Sequence, residues 1–321
     1  MIDHKKSSQK INKAEQGGLK VLYNNIIQNK NNLPRTAGWG YPEPYTRDIL
    51  ISSLGMMASG EAKLIDSIKL ALKTLSENQS DRGLIPGLVN DPNDLEAADT
   101  TPLFLISLAL FRKYSGEKNF LARAAEKART WLVYRSPIDD LLVGQLPTSD
   151  WRDEQWVFGY GLYVNSLVYL YLKLWGKDRD AEKLKKLINA KLSVSEDPHY
   201  ALYAYKGVYK DERFDLLGNS LAIIAGIPTK ERGKKIVKYV DRKCSNMVSG
   251  GQLKGDVPPV LFPYIRPEDE DWHTRYEKYN QPGDYHNGGL WPFVVSFYIV
   301  ALLKLGLIKK AEGLLLSLIK L

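Results

Sequence analysis

Five polar motifs carry the residue types that acid–base and hydroxyl-binding chemistry needs: Asp48 in PYTRD, Asp99 in AADTT, Asp153 in SDWRDE, Asp215 in RFDLLGNS and Asn287 in DYHNGG. A carboxylate accepts two hydroxyl donors, and a carboxyl held protonated near neutrality can donate to a leaving oxygen. Aromatic residues accompany the motifs: Trp39, Tyr45, Trp151, Trp156, Tyr276, Tyr279, Tyr285 and Trp291. Flat apolar faces with acids between them suit a carbohydrate. Taken singly, an Asp ahead of a helix is an N-cap, because its oxygen accepts from a free helical N–H. Five such motifs with aromatics beside them ask for more, since a cap needs no tryptophan.

The elements that must position these residues are helices. Apolar residues recur at helical spacing nearly throughout, and few stretches alternate as strands do. The periodicity predicts helices near 11–28, 45–60, 61–78, 99–115, 118–134, 154–176, 179–193, 214–226, 229–245, 288–306 and 308–320. Segments such as TPLFLISLALF and LWPFVVSFYIVALL are apolar nearly all round, whereas followers such as FLARAAEKARTWL are amphipathic. A helix apolar on every face is enclosed and an amphipathic one shields it. Each enclosed helix opens soon after a polar motif, and the motifs step by 51, 54, 62 and 72 residues, two helices and their loops. The pattern predicts an all-α protein, an α/α toroid whose parallel inner helices gather their N-termini, and with them the acids, at one end. Residues 1–321 are read as a single barrel domain. Five inner helices are legible. The amphipathic stretch KINKAEQGGLKVLYNNIIQ could close the ring, although it reads as an outer helix.

Charge and composition narrow the function. The formal net charge is +8, but basic residues are interspersed with acids, as in KLIDSIKLALKTL, which describes a solvated surface and not a nucleic-acid patch. No run of eighteen apolar residues suggests a membrane span. The polar start MIDHKKSSQK and the single Cys244 give a cytoplasmic expectation, without a secretory leader or an internal disulfide. His4, His199 and His273 have no metal-ligand spacing with Cys244 or with one another.

Six stretches, YPEPYTRDILISSLGMMASGE, AADTTPLFLISLALFRKYSG, SDWRDEQWVFGYG, RFDLLGNSLAIIAGI, GQLKGDVPPVLFPYIRPEDEDW and DYHNGGLWPFV, resemble in order the alkaline/neutral invertase family of glycoside hydrolases. The resemblance runs from Tyr41 to Gly306. More distant relatives of the same barrel are trehalases, processing α-glucosidases and glycogen-debranching glucosidases. It implies an (α/α)6 barrel and inverting hydrolysis of a glycosidic bond without a cofactor, a small carbohydrate being the substrate. Inversion needs one protonated carboxyl and one carboxylate across the sugar ring, about 6.5–9.5 Å apart. Asp153 falls on the family's acid position, and burial near Asp150, Glu154, Trp151 and Trp156 would keep it protonated. By the same resemblance Asp48 and Asp99, with Arg47 nearby, bind hydroxyls of the innermost sugar. His286 and Asn287 order the pocket floor, and Gly288 and Gly289 let backbone approach the ligand.

Two departures stand out. The family's base lies in a Glu-Tyr-Tyr-Asp segment before a final inner helix, whereas this chain stops at Leu321. Either the ring is incomplete or another segment supplies its last stave. The best internal substitute for the base is Glu277 in RYEKYNQPGDYHNGG, which resembles the Glu-Lys-Tyr segment of trehalases. Asp284 and Glu268 are weaker alternatives, and a neighbouring subunit of a homo-oligomer is a third source. Where invertases carry a Glu-Ile-Gln run, this chain has Tyr163, Val164 and Asn165, which puts sucrose itself in question. The competing expectation is a sugar-binding or regulatory protein that kept the barrel without catalysis.

Overall fold

A computed structural model of the chain describes residues 4–27, 33–35, 41–94, 97–136 and 141–321. They fall into two compact units, Met1–Asp139 with Leu170–Asp178, and Asp140–Tyr169 with Arg179–Leu321.

In the first unit α1 (His4–Ile27) is followed by the hairpins α2 (Thr46–Ser59) with α3 (Ala62–Glu77) and α4 (Thr100–Ser115) with α5 (Ala122–Tyr134). Nine consecutive residues of α4, Thr100–Leu108, are buried, so every face of that part of the helix is covered. In contrast, α3 buries only a stripe through Leu64, Ile68, Leu72 and Leu75. The all-apolar helices α2 and α4 pack on each other, and Ser53 and Ser107 join them through a hydroxyl pair 2.9 Å apart. α1 lies on α3, and Tyr23 donates to Glu61 at 2.6 Å beside the start of that helix. The predicted enclosed and shielding helices thus appear in alternation. Inner helices turn back through a left-handed glycine, as at Gly60 and Gly116, whose N–H groups return to Met57 and Arg112 carbonyls.

The helix α6 (Leu162–Leu174) begins in the second unit, which also holds most of α7 (Asp178–Leu192) and all of α8 (Leu216–Ala225), α9 (Lys230–Ser249), α10 (Tyr276–Tyr279), α11 (Pro292–Lys304) and α12 (Ile308–Lys320). α8 packs on α11, and α11 forms a hairpin with α12. A small antiparallel sheet accompanies the helices, in the order β1 (Tyr160–Gly161), β2 (Ala201–Tyr205), β3 (Tyr209–Asp215) and β4 (Leu261–Phe262). Periodicity gave no strand here. β2 is buried through Ala201–Ala204, so it lacks the alternation that marks a half-covered strand, and its hairpin turns through Lys206 and Gly207, both left-handed. Most predicted helix bounds hold to within a few residues; the largest differences are α1, which starts at His4, and α6, which starts at Leu162 after β1.

A repeated device closes the loops ahead of the inner helices. Asn165 accepts from the Val143 N–H at 2.8 Å and donates to the Val143 and Gly161 carbonyls at 3.0 and 2.9 Å. Asn219 accepts from the Tyr200 N–H and donates to the Tyr200 and Asp215 carbonyls, all at 3.0 Å. Asn287 accepts from the Ile265 N–H at 2.7 Å and donates to the Ile265 and Asn280 carbonyls at 2.7 and 2.9 Å. Each amide replaces a strand partner for one residue and is buried, so the backbone groups it satisfies have no access to water. In the first unit Thr100 and Thr101 divide the same task, bonding the Ile85 carbonyl at 2.7 Å and its N–H at 3.1 Å.

Candidate active site

Two of the amide-closed loops carry the candidate acid and the candidate base. The loop 143–165 bears Asp153, and the loop 265–287 bears Glu277 and His286. The loops are laced together directly. Tyr276 of α10 is buried, and its hydroxyl accepts the Trp156 N–H at 2.8 Å, while Asn280 donates to the Glu154 carbonyl at 2.7 Å. Arg275 binds the Glu154 carboxylate through Nε and Nη2 at 3.1 and 2.7 Å. Burial pushes the Tyr276 hydroxyl up to about 12, so it stays a neutral partner for that N–H.

Asp153 presents a carboxyl that is 60% exposed, with Oδ1 3.7 Å from Nε2 of His286, whose side chain is 1% exposed. The expectation that burial keeps Asp153 protonated is therefore corrected: the buried carboxyls of this region are Asp150 and Asp215. The imidazole is fixed by an aromatic box. Trp151 meets it edge-on at 5.2 Å, Trp291 stacks on it at 5.6 Å, and Tyr285 lies 4.0 Å away, ring centre to ring centre. Trp291 is itself held by donation from its indole N–H to the Tyr285 carbonyl at 3.0 Å, and Trp151 packs against Trp291 and Phe293. The His286 N–H of the backbone donates to Asn280 at 2.9 Å. A carboxyl reaching solvent beside a walled imidazole stands where a ligand placed on the aromatic faces would meet it.

Arg152 holds this loop from below. Its guanidinium, 1% exposed, donates to Asp215, lies 3.5 Å from Asp150 and covers the face of Trp151 at 4.6 Å. Asp215 is a true N-cap, accepting from Leu217 and Gly218 N–H groups at 3.1 and 3.0 Å. Burial raises its carboxyl above the usual range, and the Arg152 charge opposes the rise. Asp150 accepts from the Arg152 N–H and from Gln145.

The remaining predicted residues fall out as follows. In the first unit Asp99 precedes α4 but does not cap it; the buried carboxylate accepts from Arg47 Nε at 2.5 Å. Asp48 sits in the first turn of α2, where a negative charge suits the free N–H groups, and Tyr45 bridges to Leu88 ahead of it. Trp39 lies outside the described residues. Trp156 is 43% exposed and stacks on His273 at 5.5 Å, so it is no core aromatic. Glu277 and Asp284 are exposed. Asn287 is occupied with backbone, in agreement with a floor-ordering role, but Gly288 does not open room for a ligand: a Cβ there would fall 2.1 Å from Cε1 of Tyr264, so the protein's own ring takes the space. Asn165, which ends the run standing where invertases carry Glu-Ile-Gln, is a loop clamp. Arg152, Arg275 and Tyr264 escaped the sequence reading, since nothing local marks Arg152 as buried or names the distant partners of the other two. Among the described residues no group of three or more His, Cys, Asp or Glu side chains is arranged to hold a metal, and no helix is long and apolar enough to cross a membrane.

Comparison with known proteins agrees with the motifs. Residues 194–317 match the family model described as alkaline and neutral invertase. Probable alkaline/neutral invertase A, chloroplastic, from Arabidopsis thaliana is 30% identical over 120 residues, 37% of this chain and 18% of the relative. Neutral/alkaline invertase 1, mitochondrial, from Oryza sativa subsp. japonica is 29% identical over 115 residues, 35% of this chain and 17% of the relative. The matched stretch therefore spans less than a fifth of these relatives. Among solved structures, GH63 mannosylglycerate hydrolase from Thermus thermophilus superposes with a TM-score of 0.66 at 13% identity, covering 94% of this chain and 89% of that one. A wild-type glycosidase gives 0.65 at 13% identity, covering 98% and 84%. The structural likeness shows the (α/α)6 barrel class of fold, with a small sheet added. The invertase-like resemblance read from the motifs is borne out over 194–317.

Proposed function

We propose that this chain, similar over residues 194–317 to the alkaline and neutral invertases, is an inverting glycoside hydrolase cleaving an α-glucosidic or sucrose-like bond. Asp153 is the general acid: it gives its proton to the glycosidic oxygen as the bond to the anomeric carbon breaks. Glu277 is the general base, taking a proton from the water that attacks that carbon from the opposite face. Trp151, Trp156, Tyr285 and Trp291 offer sugar platforms, with His286 and Asn287 ordering the floor. By the family resemblance alone, Asp48 and Asp99, with Arg47 nearby, are assigned to sugar hydroxyls, and Trp39 and Tyr45 to substrate binding. The reading takes residues 1–321 as one catalytic domain, acting in the cytoplasm on a small saccharide and needing no cofactor, as the family resemblance implies.

One observation carries it: the exposed Asp153 carboxyl lies against a buried, aromatic-walled His286, on a loop laced to the one that bears Glu277. Loops pinched at the base and tied to each other limit how far the backbone carrying Asp153 and Glu277 can shift, and general acid–base hydrolysis requires a fixed separation of its two carboxyls. The test is hydrolysis of sucrose, trehalose and short α-glucans, with NMR of the anomer first released. Asp153→Asn is expected to lower turnover by at least about 10²–10⁴-fold with inverted product in the wild type. Stabilisation by a sugar without turnover in the wild type would support instead a catalytically impaired sugar-binding protein of the same fold. A retained anomeric configuration would sink the inverting assignment.

A further inference from the structure

A cavity of about 650 Å³ lies beside the Asp153 loop, lined by the stacked Trp156 and His273 and by residues 268–272, which lead toward α10 and Glu277. Tyr203 and Tyr209 of the β2–β3 hairpin complete the lining. Resting on the hydrolase reading above, we propose that this cavity is the leaving-group subsite and that it selects a saccharide unit free of negative charge, favouring one that bears an ammonium.

Position supports the assignment. Trp156 lies three residues beyond Asp153, and its backbone is tied to Tyr276, next to Glu277. The cavity therefore adjoins the backbone of both loops that carry the candidate acid and base.

The lining states what the sugar must be. Trp156 stacks on His273 with ring planes 18° apart, so the pair offers its outer faces, and Trp272 is braced edge-on by Tyr276 at 5.6 Å. Such faces take the C–H side of a pyranose or an ammonium group. Glu268, Asp269, Glu270 and Asp271 add four carboxyls to the rim. The lining has one basic side chain, Arg213, and it is fully engaged. Nη1 donates to Asp211 at 3.0 Å and to Asp271 at 2.6 Å, while Nη2 donates to Asp269 at 3.0 Å and to Asp271 at 2.9 Å. Burial alone would lower the Arg213 guanidinium, but the carboxylates of Asp211 and Asp271 more than reverse it and hold the charge on. Arg213 thus fixes two of the rim carboxylates as acceptors. Glu268, at the mouth, is 3.9 Å from Arg266, both well exposed. Hydroxyl and ammonium donors meet oriented acceptors, whereas an anionic sugar meets a lining in which carboxylates outnumber the one guanidinium, in a protein whose overall net charge is +8. Asp211 and Arg213 are 3% and 14% exposed, so Asp269 and Asp271, 34% and 25% exposed, are held by a buried ion pair, while Glu268 at the mouth is 68% exposed.

The experiment varies only the leaving-group unit. Maltitol, maltobionate and 1-amino-1-deoxymaltitol share one glucosyl residue and differ in the charge of the other, and their affinities for Asp153→Asn are measured by tryptophan fluorescence and saturation-transfer NMR at low salt. Maltobionate is expected to bind at least about tenfold more weakly than maltitol, and the amine at least as tightly, with the gap closing as salt screens the carboxylates. Trp156→Ala is expected to weaken all three. Glu268→Gln with Glu270→Gln, two changes at the cavity mouth, is expected to narrow the anion penalty even where the tryptophan variant folds poorly. Equal affinities for the three ligands, or binding to none, would overturn the subsite. Charge discrimination in a wild type that hydrolyses nothing would retain the subsite and reject the hydrolase, so the two failures are told apart.

Discussion

Replacing Arg152 by Met tests whether the floor beneath Asp153 is an ion network and not merely packed volume. Methionine fills much of the same space but leaves Asp150 and Asp215, each no more than 1% exposed, without the guanidinium between them. Removing one partner of a buried pair costs about 3–5 kcal/mol, because the remaining charge is stranded. The contact over Trp151 goes as well, worth about 0.5–2 kcal/mol. Against a total stability of about 5–15 kcal/mol the variant should melt on the order of 10 °C lower. The sign with pH follows from Asp215, whose folded-state carboxyl is already raised by burial. A carboxyl raised above its unfolded value of about 3.9 binds its proton more readily in the folded chain. Its contribution is complete below that value and is lost as pH rises through the folded one. Without Arg152 the rise is greater, so the deficit of the variant should be larger at pH 8 than at pH 5 by at least about 1 kcal/mol. Guanidinium denaturation at the two pH values reads this directly. Asp215→Asn in the same chain keeps a capping oxygen and removes one stranded charge, and should recover a third or more of the loss, about 1–2 kcal/mol. A loss below about 1 kcal/mol, or one equal at both pH values, would refute the reasoning.

Other outcomes follow from the same geometry. Asp153→Asn should leave stability within about 0.5 kcal/mol of wild type, as expected of an exposed side chain, while abolishing turnover; a large stability loss would mark the residue as structural. Asn165→Leu strands the Val143 N–H and C=O in a buried site and should cost about 2–4 kcal/mol in urea denaturation, whereas a neutral result would mean that water reaches them. Gly288→Ala, at φ 108° and with Cβ 2.1 Å from Tyr264, should cost more than about 3 kcal/mol, and Tyr264→Ala in the same chain should relieve only the steric part, which thermal melts of the single and double variants separate.

What the sequence disclosed, and what it hid, divides along a physical line. Helix periodicity reports burial averaged over a face, and it located α2, α4, α8 and α11 along with their shielding partners. The same averaging is blind to hydrogen-bond partners. Asp99 and Asp215 stand in similar places before inner helices, yet one holds Arg47 and the other caps α8; nothing in AADTT or RFDLLGNS distinguishes them. Nothing in SDWRDEQW shows that Trp156 is exposed and stacked on His273. The β2–β3 hairpin was missed because β2 is buried without alternation. The invertase motifs directed attention to Asp153 before any geometry was known, but they suggested a buried acid where the carboxyl faces outward.

The asparagine clamps have a consequence for how such a chain can change. Each amide draws together residues 22, 19 or 22 positions apart, so the segments 143–165, 200–219 and 265–287 behave as closed rings mounted on a helical rack. A ring fastened at its neck transmits little of its internal variation to its mount, and lengthening it by a few residues adds only a small closure penalty. The rings are therefore exchangeable as a set: the 143–165 ring could be transplanted only together with the partners that Arg152, Glu154 and Trp156 hold in the other two rings.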